Sequence, residues 1–127
     1  AIAPGKRMLS SMTPTLVLQN GKPFLVIGTP GGTTIPTSVF QTIVNVIDFS
    51  MSTEDTVNKP KFHHLWQPDL IDVEITFPQT TRDALQKMGY KLRERGAIGR
   101  TDVIKVLPDG KFEGIADSRG DDSASGF

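Results

Sequence analysis

The 127-residue chain carries 14 Lys plus Arg against 14 Asp plus Glu, so its formal charge is zero and nothing electrostatic favours nucleic acid or an anionic membrane as a partner. It contains no cysteine, which excludes disulfides, thiolate catalysis and thiolate metal sites while leaving the redox compartment open. The length suits one compact domain with its own core, or equally a piece of a larger one.

The first residues, Ala1-Ile2-Ala3-Pro4-Gly5-Lys6-Arg7, have no long apolar stretch behind a basic start, so they read as neither signal peptide nor membrane anchor. They also lack an initiating Met, and the chain is expected to have been cut from something longer. Two short runs of apolar and β-branched residues, 15–18 and 24–28, flank Gln19-Asn20-Gly21-Lys22, where Asn-Gly signals a hairpin turn. Gly28-Thr29-Pro30-Gly31-Gly32-Thr33-Thr34 breaks the second strand. Apolar residues then crowd 35–49 at helical spacing, dense enough to predict a helix buried on more than one side. Thr33 or Thr34 is expected to cap it, with Pro36 in its first turn.

Ser52-Thr53-Glu54-Asp55 has the form of a capping box and predicts a short helix ended by Lys59-Pro60. Residues 70–75 read as a strand, and 78–88, with Ala84, Leu85 and Met88 before Gly89, as a helix. Runs at 101–107 and 111–116 predict a second hairpin around Pro108-Asp109-Gly110-Lys111, followed by a polar Gly- and Ser-rich tail from Asp117. No repeat or linker divides the chain, so residues 1–127 are expected to form a single domain. The fold class read from this order is α+β, a mainly antiparallel sheet with packed helices and not a doubly wound parallel one.

The pattern most suggestive of chemistry is Gly31-Gly32 between a strand and a helix, because glycines let the backbone turn sharply and present N–H groups beside a helix start. Such a place stabilises negative charge, as an oxyanion hole does in acyl transfer; a Gly-rich turn without a ligand explains the same residues. Ser10-Ser11 offers two hydroxyls and two N–H groups suited to a carboxylate, or a plain turn. His63-His64 invites a metal reading, but neighbours on an extended segment point to opposite faces and no spaced ligand completes a set, so packing and hydrogen bonding are expected of them. Asp117, Asp121 and Asp122 match no calcium loop and read as a solvated acidic tail; Arg119-Gly120-Asp121 is a tripeptide common by chance. The Thr pairs, Thr33-Thr34 and Thr80-Thr81, stand at predicted helix starts where capping explains them. No phosphate-binding loop, dinucleotide fingerprint or G-x-S-x-G occurs. No metal is expected, and no nucleophile can be named inside the chain.

Three segments in fixed order change the picture: Pro4-Gly5-Lys6-Arg7-Met8-Leu9-Ser10-Ser11-Met12-Thr13-Pro14-Thr15, Gly28-Thr29-Pro30-Gly31-Gly32, and Lys61-Phe62-His63-His64-Leu65-Trp66-Gln67-Pro68. Together with Asp109-Gly110 and the Asp-x-Arg of Asp117 and Arg119, they resemble the small subunit of γ-glutamyltransferases over essentially the whole chain. The resemblance implies a C-terminal fragment of that subunit, within a layered αββα N-terminal-nucleophile hydrolase whose precursor cleaves itself to expose a catalytic Thr. It implies that Ser10 and Ser11 grip the α-carboxylate of the γ-glutamyl group and that the N–H groups of Gly31 and Gly32 form the oxyanion hole. The nucleophile would lie upstream, so the fragment alone is expected to be inactive, and no cofactor is implied.

The partners implied are the large subunit, the N-terminal part of the small subunit and a small γ-glutamyl substrate such as glutathione. Neither nucleic acid nor membrane insertion by this segment is implied, and the compartment would be periplasmic or extracellular. Ser118 stands where the family usually has Pro, and Thr29-Pro30 replaces a more usual Ser-Pro; both bear on substrate preference. Two alternatives remain beside this reading, a non-catalytic homologous module and an acylase of another specificity, such as one acting on β-lactam side chains.

Overall fold

A computed structural model describes residues 2–126. The Asn-Gly turn forms as expected. Strand β1 (Thr15–Gln19) and strand β2 (Lys22–Gly28) pair antiparallel, with Asn20 at φ 52° and Gly21 at φ 75°. Two left-handed residues in sequence give a turn whose twist matches the strands it joins. The second hairpin, β6 (Asp102–Val106) with β7 (Phe112–Ile115), adds to the other edge of β2, and the four strands form one antiparallel sheet in the order β1-β2-β6-β7.

A single turn of 3-10 helix (Gly32–Thr34) leads into helix α1 (Ile35–Ile47), and α2 (Thr53–Asn58) follows. Ser52 caps α2, its hydroxyl oxygen accepting the Asp55 N–H at 3.0 Å. The core lies between one face of the four-stranded sheet and these two helices. Leu25, Ile27 and Val103 from the sheet meet Val39, Val46 and Val57 from the helices. The buried stripe of α1 is also partly polar: Gln41 donates to Thr37 O and Phe62 O, both at 2.8 Å, and accepts the Phe62 N–H at 3.1 Å. That stitches α1 to strand β3 (Phe62–His63).

Burial of α1 on more than one side does not hold within this chain, where Phe40, Ile47 and Phe49 face outward, 49–69% exposed. Apolar density set the helix, but the chain provides a packing partner for one face only. Capping by threonine side chains is corrected as well. Thr34 occupies the N-cap of α1, yet its hydroxyl donates back to Gly31 O at 3.0 Å. Thr80 and Thr81 lie inside α3 (Gln79–Lys87), whose N-cap residue is Pro78.

The second sheet, β3-β4-β5, is where the expected antiparallel pattern gives way. β4 (Ile71–Glu74) pairs antiparallel with β3 but parallel with β5 (Leu92–Arg95), so β4, α3 and β5 make a βαβ unit. The charged run Leu92-Arg93-Glu94-Arg95 gave no strand pattern in sequence. It pairs because β4 is buried on both faces, Ile71 and Val73 on one and Asp72 and Glu74 on the other, and Arg93 and Arg95 reach Asp72 at 2.7 and 3.4 Å. Arg82 of α3, buried, donates to the carbonyls of Glu74, Ile75 and Phe77 at 2.7–2.9 Å and pairs with Glu94, fixing the crossover.

Candidate functional site

Pairing of Thr15 with Ile27, and of Gly28 with Asp102, brings several chain segments to one end of the four-stranded sheet. The chain enters β1 there from Ser10-Ser11, leaves β2 there into Thr29–Gly32, enters β6 there from Gly99-Arg100, and leaves β7 there into Asp117. The Asn-Gly turn marks the opposite end.

At this end Thr29 Oγ1 accepts the Arg100 N–H at 2.9 Å and donates to Pro30 O at 2.8 Å. Gly31 has φ 143° and ψ 8°, a combination suited to glycine alone, and Gly32 follows at φ 58°. The Gly31 carbonyl is held by both the N–H and the hydroxyl of Thr34, at 3.2 and 3.0 Å. With the carbonyl turned toward the helix start, the Gly31 and Gly32 N–H groups have no acceptor among the described residues. Two free donors at the start of the 3-10 turn that leads into α1 form an arrangement able to bind an anion. Beside them lies an open cleft of about 410 Å³ lined by Pro30, Gly31, Ala97, Gly99, Arg100 and Arg119.

Ser10 and Ser11 do not line that cleft. Ser10 is exposed, its hydroxyl accepting the Met12 N–H at 3.4 Å, and the Ser11 carbonyl accepts the Thr13 hydroxyl at 2.9 Å. Their neighbours Met8, Leu9 and Met12 are 77–87% exposed, so this segment lies against little of the chain. The fold thus places Gly31-Gly32 at this sheet end and leaves Ser10-Ser11 in the segment that precedes β1, with no contact between the two pairs.

Sequence reasoning missed a buried charge cluster between the two sheets. Asp117, read above as part of a solvated tail, is 1% exposed, and Lys61, Glu74 and Arg119 join it. Arg119 donates to both oxygens of Glu74 at 2.7 Å, to Asp117 Oδ1 at 2.9 Å and to the Val57 and Lys59 carbonyls at 2.9 Å. Glu74 also accepts the N–H groups of Lys61 and Ile98, both at 2.8 Å, and Asp117 that of Thr101 at 2.8 Å. Two cations offset two carboxylates, and nearly every lone pair has a donor, the condition under which buried charge is tolerated.

Burial alone would raise the Glu74 and Asp117 carboxyls. Arg119 and backbone donors instead hold Glu74 below the usual range, and the N–H groups of Thr101 and Arg119, with Lys61, do the same for Asp117. Burial, with Arg119 nearby, lowers the Lys61 ammonium. The sequence signal was available: an Asp-x-Arg directly after a strand, with Lys61 and Glu74 among apolar residues.

The histidines behave as packing residues. His63, buried, shares a 2.7 Å hydrogen bond between Nδ1 and Thr37 Oγ1, and burial lowers its pKa; His64 Nε2 lies 3.1 Å from Asp69. Among the described residues no group of three His, Asp or Glu could hold a metal ion. Asp121 and Asp122 pair with Arg100, at 3.2 and 2.7 Å. No helix among the described residues is long and apolar enough to cross a membrane.

All of the chain, residues 1–127, matches the gamma-glutamyltranspeptidase family. The chain belongs to that family. A glutathione hydrolase proenzyme of Escherichia coli (strain K12) is 44% identical over 128 residues, covering 100% of this chain and 22% of its own length. A gamma-glutamyltranspeptidase from Pseudomonas nitroreducens superposes with a TM-score of 0.90 at 39% identity, over 100% of this chain and 67% of that one. A mutant of the Helicobacter pylori gamma-glutamyltranspeptidase gives 0.87 at 45% identity, over 94% and 66%. The chain therefore spans about a fifth of the proenzyme and two thirds of the solved chains. With these neighbours its α+β sheets and helices are part of the layered αββα fold of N-terminal-nucleophile hydrolases.

Proposed function

We propose that this gamma-glutamyltranspeptidase chain supplies the oxyanion-binding and glutamyl-binding part of an enzyme that cleaves γ-glutamyl amides such as glutathione and passes the glutamyl group to water or to an amino acid or peptide. The observation that carries the reading is the pair of acceptor-free N–H groups at Gly31 and Gly32, fixed by Thr34 at the start of α1. When a nucleophile supplied from outside the chain attacks the γ-carbonyl, its oxygen becomes an anion. Donors already aimed at that oxygen need no reorganisation, which is why each is worth about 3–4 kcal/mol in such sites.

Ser10 and Ser11 then hold the substrate's α-carboxylate through hydroxyl and backbone donors. The exposure of Met8, Leu9, Ser10 and Met12, with Ser11 half-buried, supports this, since the segment is left open to contacts with the remainder of the enzyme. That remainder comprises the large subunit and the N-terminal part of the small subunit, residues 1–127 acting as a single domain among them. A periplasmic or extracellular location belongs to the same reading.

The test is hydrolysis of a chromogenic γ-glutamyl anilide by the full-length parent, beside the 127-residue chain, with mass measured to see whether the parent splits. Self-cleavage with anilide hydrolysis by the parent, and none by the chain alone, is expected. An intact, inert parent would point to a non-catalytic module, and release of a different acyl group to an acylase; either overturns the proposal.

A further inference from the structure

Arg100 connects two parts of the molecule that are distant in sequence. Its backbone belongs to the wall behind the glycine turn. The Arg100 N–H bonds Thr29 Oγ1, and Gly99, at φ 69°, is so closely packed that a Cβ there would lie 2.7 Å from Ser38 Oγ and 3.0 Å from Thr29 Oγ1. A Cβ on Gly31 would in turn lie 3.4 Å from Gly99 Cα. The Arg100 N–H bond to Thr29 and the tight packing of Gly99 on Thr29 and Ser38 couple residues 99–100 to the turn that begins at Thr29, so displacement of one strains the other.

The Arg100 side chain runs the other way, across Gly120, where a Cβ would lie 2.0 Å from Arg100 Cδ, to ion pairs with Asp122 through Nε at 2.7 Å and Asp121 through Nη1 at 3.2 Å. The two pairs are unequal. The Asp122 side chain is 24% exposed and that of Asp121 97%, so solvent screens the Asp122 charge less, although Asp122 pairs by charge alone while Asp121 accepts a hydrogen bond from Nη1. Arg119, one residue before this clasp, is already fixed in the buried cluster, so the segment is held at both ends.

We propose that Arg100 is a positioning residue for acyl transfer: through its clasp on Gly120–Asp122 it holds the 99–100 wall, and thereby the Gly31 and Gly32 N–H groups, in the geometry the oxyanion requires. This rests on those N–H groups being the oxyanion donors. In this role Arg100 acts through the turn, its side chain being directed to Asp121 and Asp122. Its loss acts on the transition state more than on ground-state binding, since a displaced donor costs most where charge develops.

The experiment uses the full-length parent, with kcat referred to the self-cleaved fraction measured by mass. Arg100→Ala is expected to lower kcat by about tenfold with KM within about twofold, a misplacement smaller than loss of a donor. Asp122→Asn should reproduce most of that loss, and the double variant should be no worse than Arg100→Ala alone, because both break one link. Arg100→Lys, which keeps the charge, should recover part of kcat. Wild-type kcat in Arg100→Ala overturns the role, as does a loss with no effect of Asp122→Asn. Should Arg100→Ala not fold, Arg100→Lys and Asp122→Asn decide by the same kcat criterion. Gly31→Ala separates the two ideas: unchanged turnover there removes the oxyanion reading, whereas reduced turnover there with normal Arg100 and Asp122 variants removes only the positioning role.

Discussion

A methyl group on Gly31 would stand 2.5 Å from Thr34 Oγ1, whereas one on Gly32 would meet nothing within 4 Å. The two glycines are therefore unequal. Gly31→Ala should displace the Thr34 hydroxyl that fixes the turn and lower kcat of the parent by about 10²-fold, on the scale of losing an oxyanion donor. Gly32→Ala needs only the left-handed conformation, at about 1–2 kcal/mol, and should show the smaller kinetic effect. Steady-state kinetics on the anilide check both. Ser10→Ala with Ser11→Ala should raise KM with kcat little changed, because a carboxylate contact is present in ground and transition states alike. Unchanged KM would remove the serines from the pocket. The glycines were legible as a turn beside a helix; which of them cannot accept a side chain was not, because that depends on the Thr34 hydroxyl closing on Gly31.

Among the elements, the buried cluster joins the ends of β4 and β7 and the loop after α2. Removing one member leaves its partners buried and uncompensated, so Arg119→Ala is expected to lower stability by about 3–5 kcal/mol. Urea unfolding measures it, and a loss below about 1 kcal/mol would show the cluster relaxing into solvent. This is the part of the chain that reading by periodicity missed. β5 looks like a charged loop, and Asp117 like the start of a solvated tail, because each owes its place to a charge on another element, Asp72 for the first and Lys61 with Arg119 for the second. The hairpins and helices were legible because their signals are local: Asn20-Gly21, Asp109-Gly110, and Ser52 three residues before Asp55.

For the whole molecule, His63 and the buried carboxylates should make acid act in two stages of the same sign, offset in part by Asp102, whose carboxyl is raised by burial. The His63 pKa is lowered by burial, so below the ordinary histidine value of about 6.5 the unfolded chain takes up a proton first and stability begins to fall. The Glu74 and Asp117 pKa values are lowered too, so the stability they contribute is present above the ordinary carboxylate range of about 4 and is lost as pH falls through their folded values. Unfolding free energy against pH should show a shallow decline, then a steep one. His63→Gln should remove the first and keep the second. A flat profile down to pH 4 in the unaltered protein would contradict the role of His63.

The isolated chain also exposes Phe40, Ile47 and Phe49 beside α1, and Leu16, Leu18, Val26 and Ile104 on the sheet. It should bind hydrophobic dye and associate with rising concentration, as surfaces of this kind do.

By itself the sequence determined both hairpins, the three helices, the α+β class and the family, because turn chemistry, helical spacing, the Ser52 cap and three ordered motifs are written in nearby residues. Only the tertiary structure decided the parallel β4–β5 pair, the burial of Asp117 and the Arg100 clasp. Each depends on a partner tens of residues away, and no pattern along the chain encodes which opposite charges will meet once it folds.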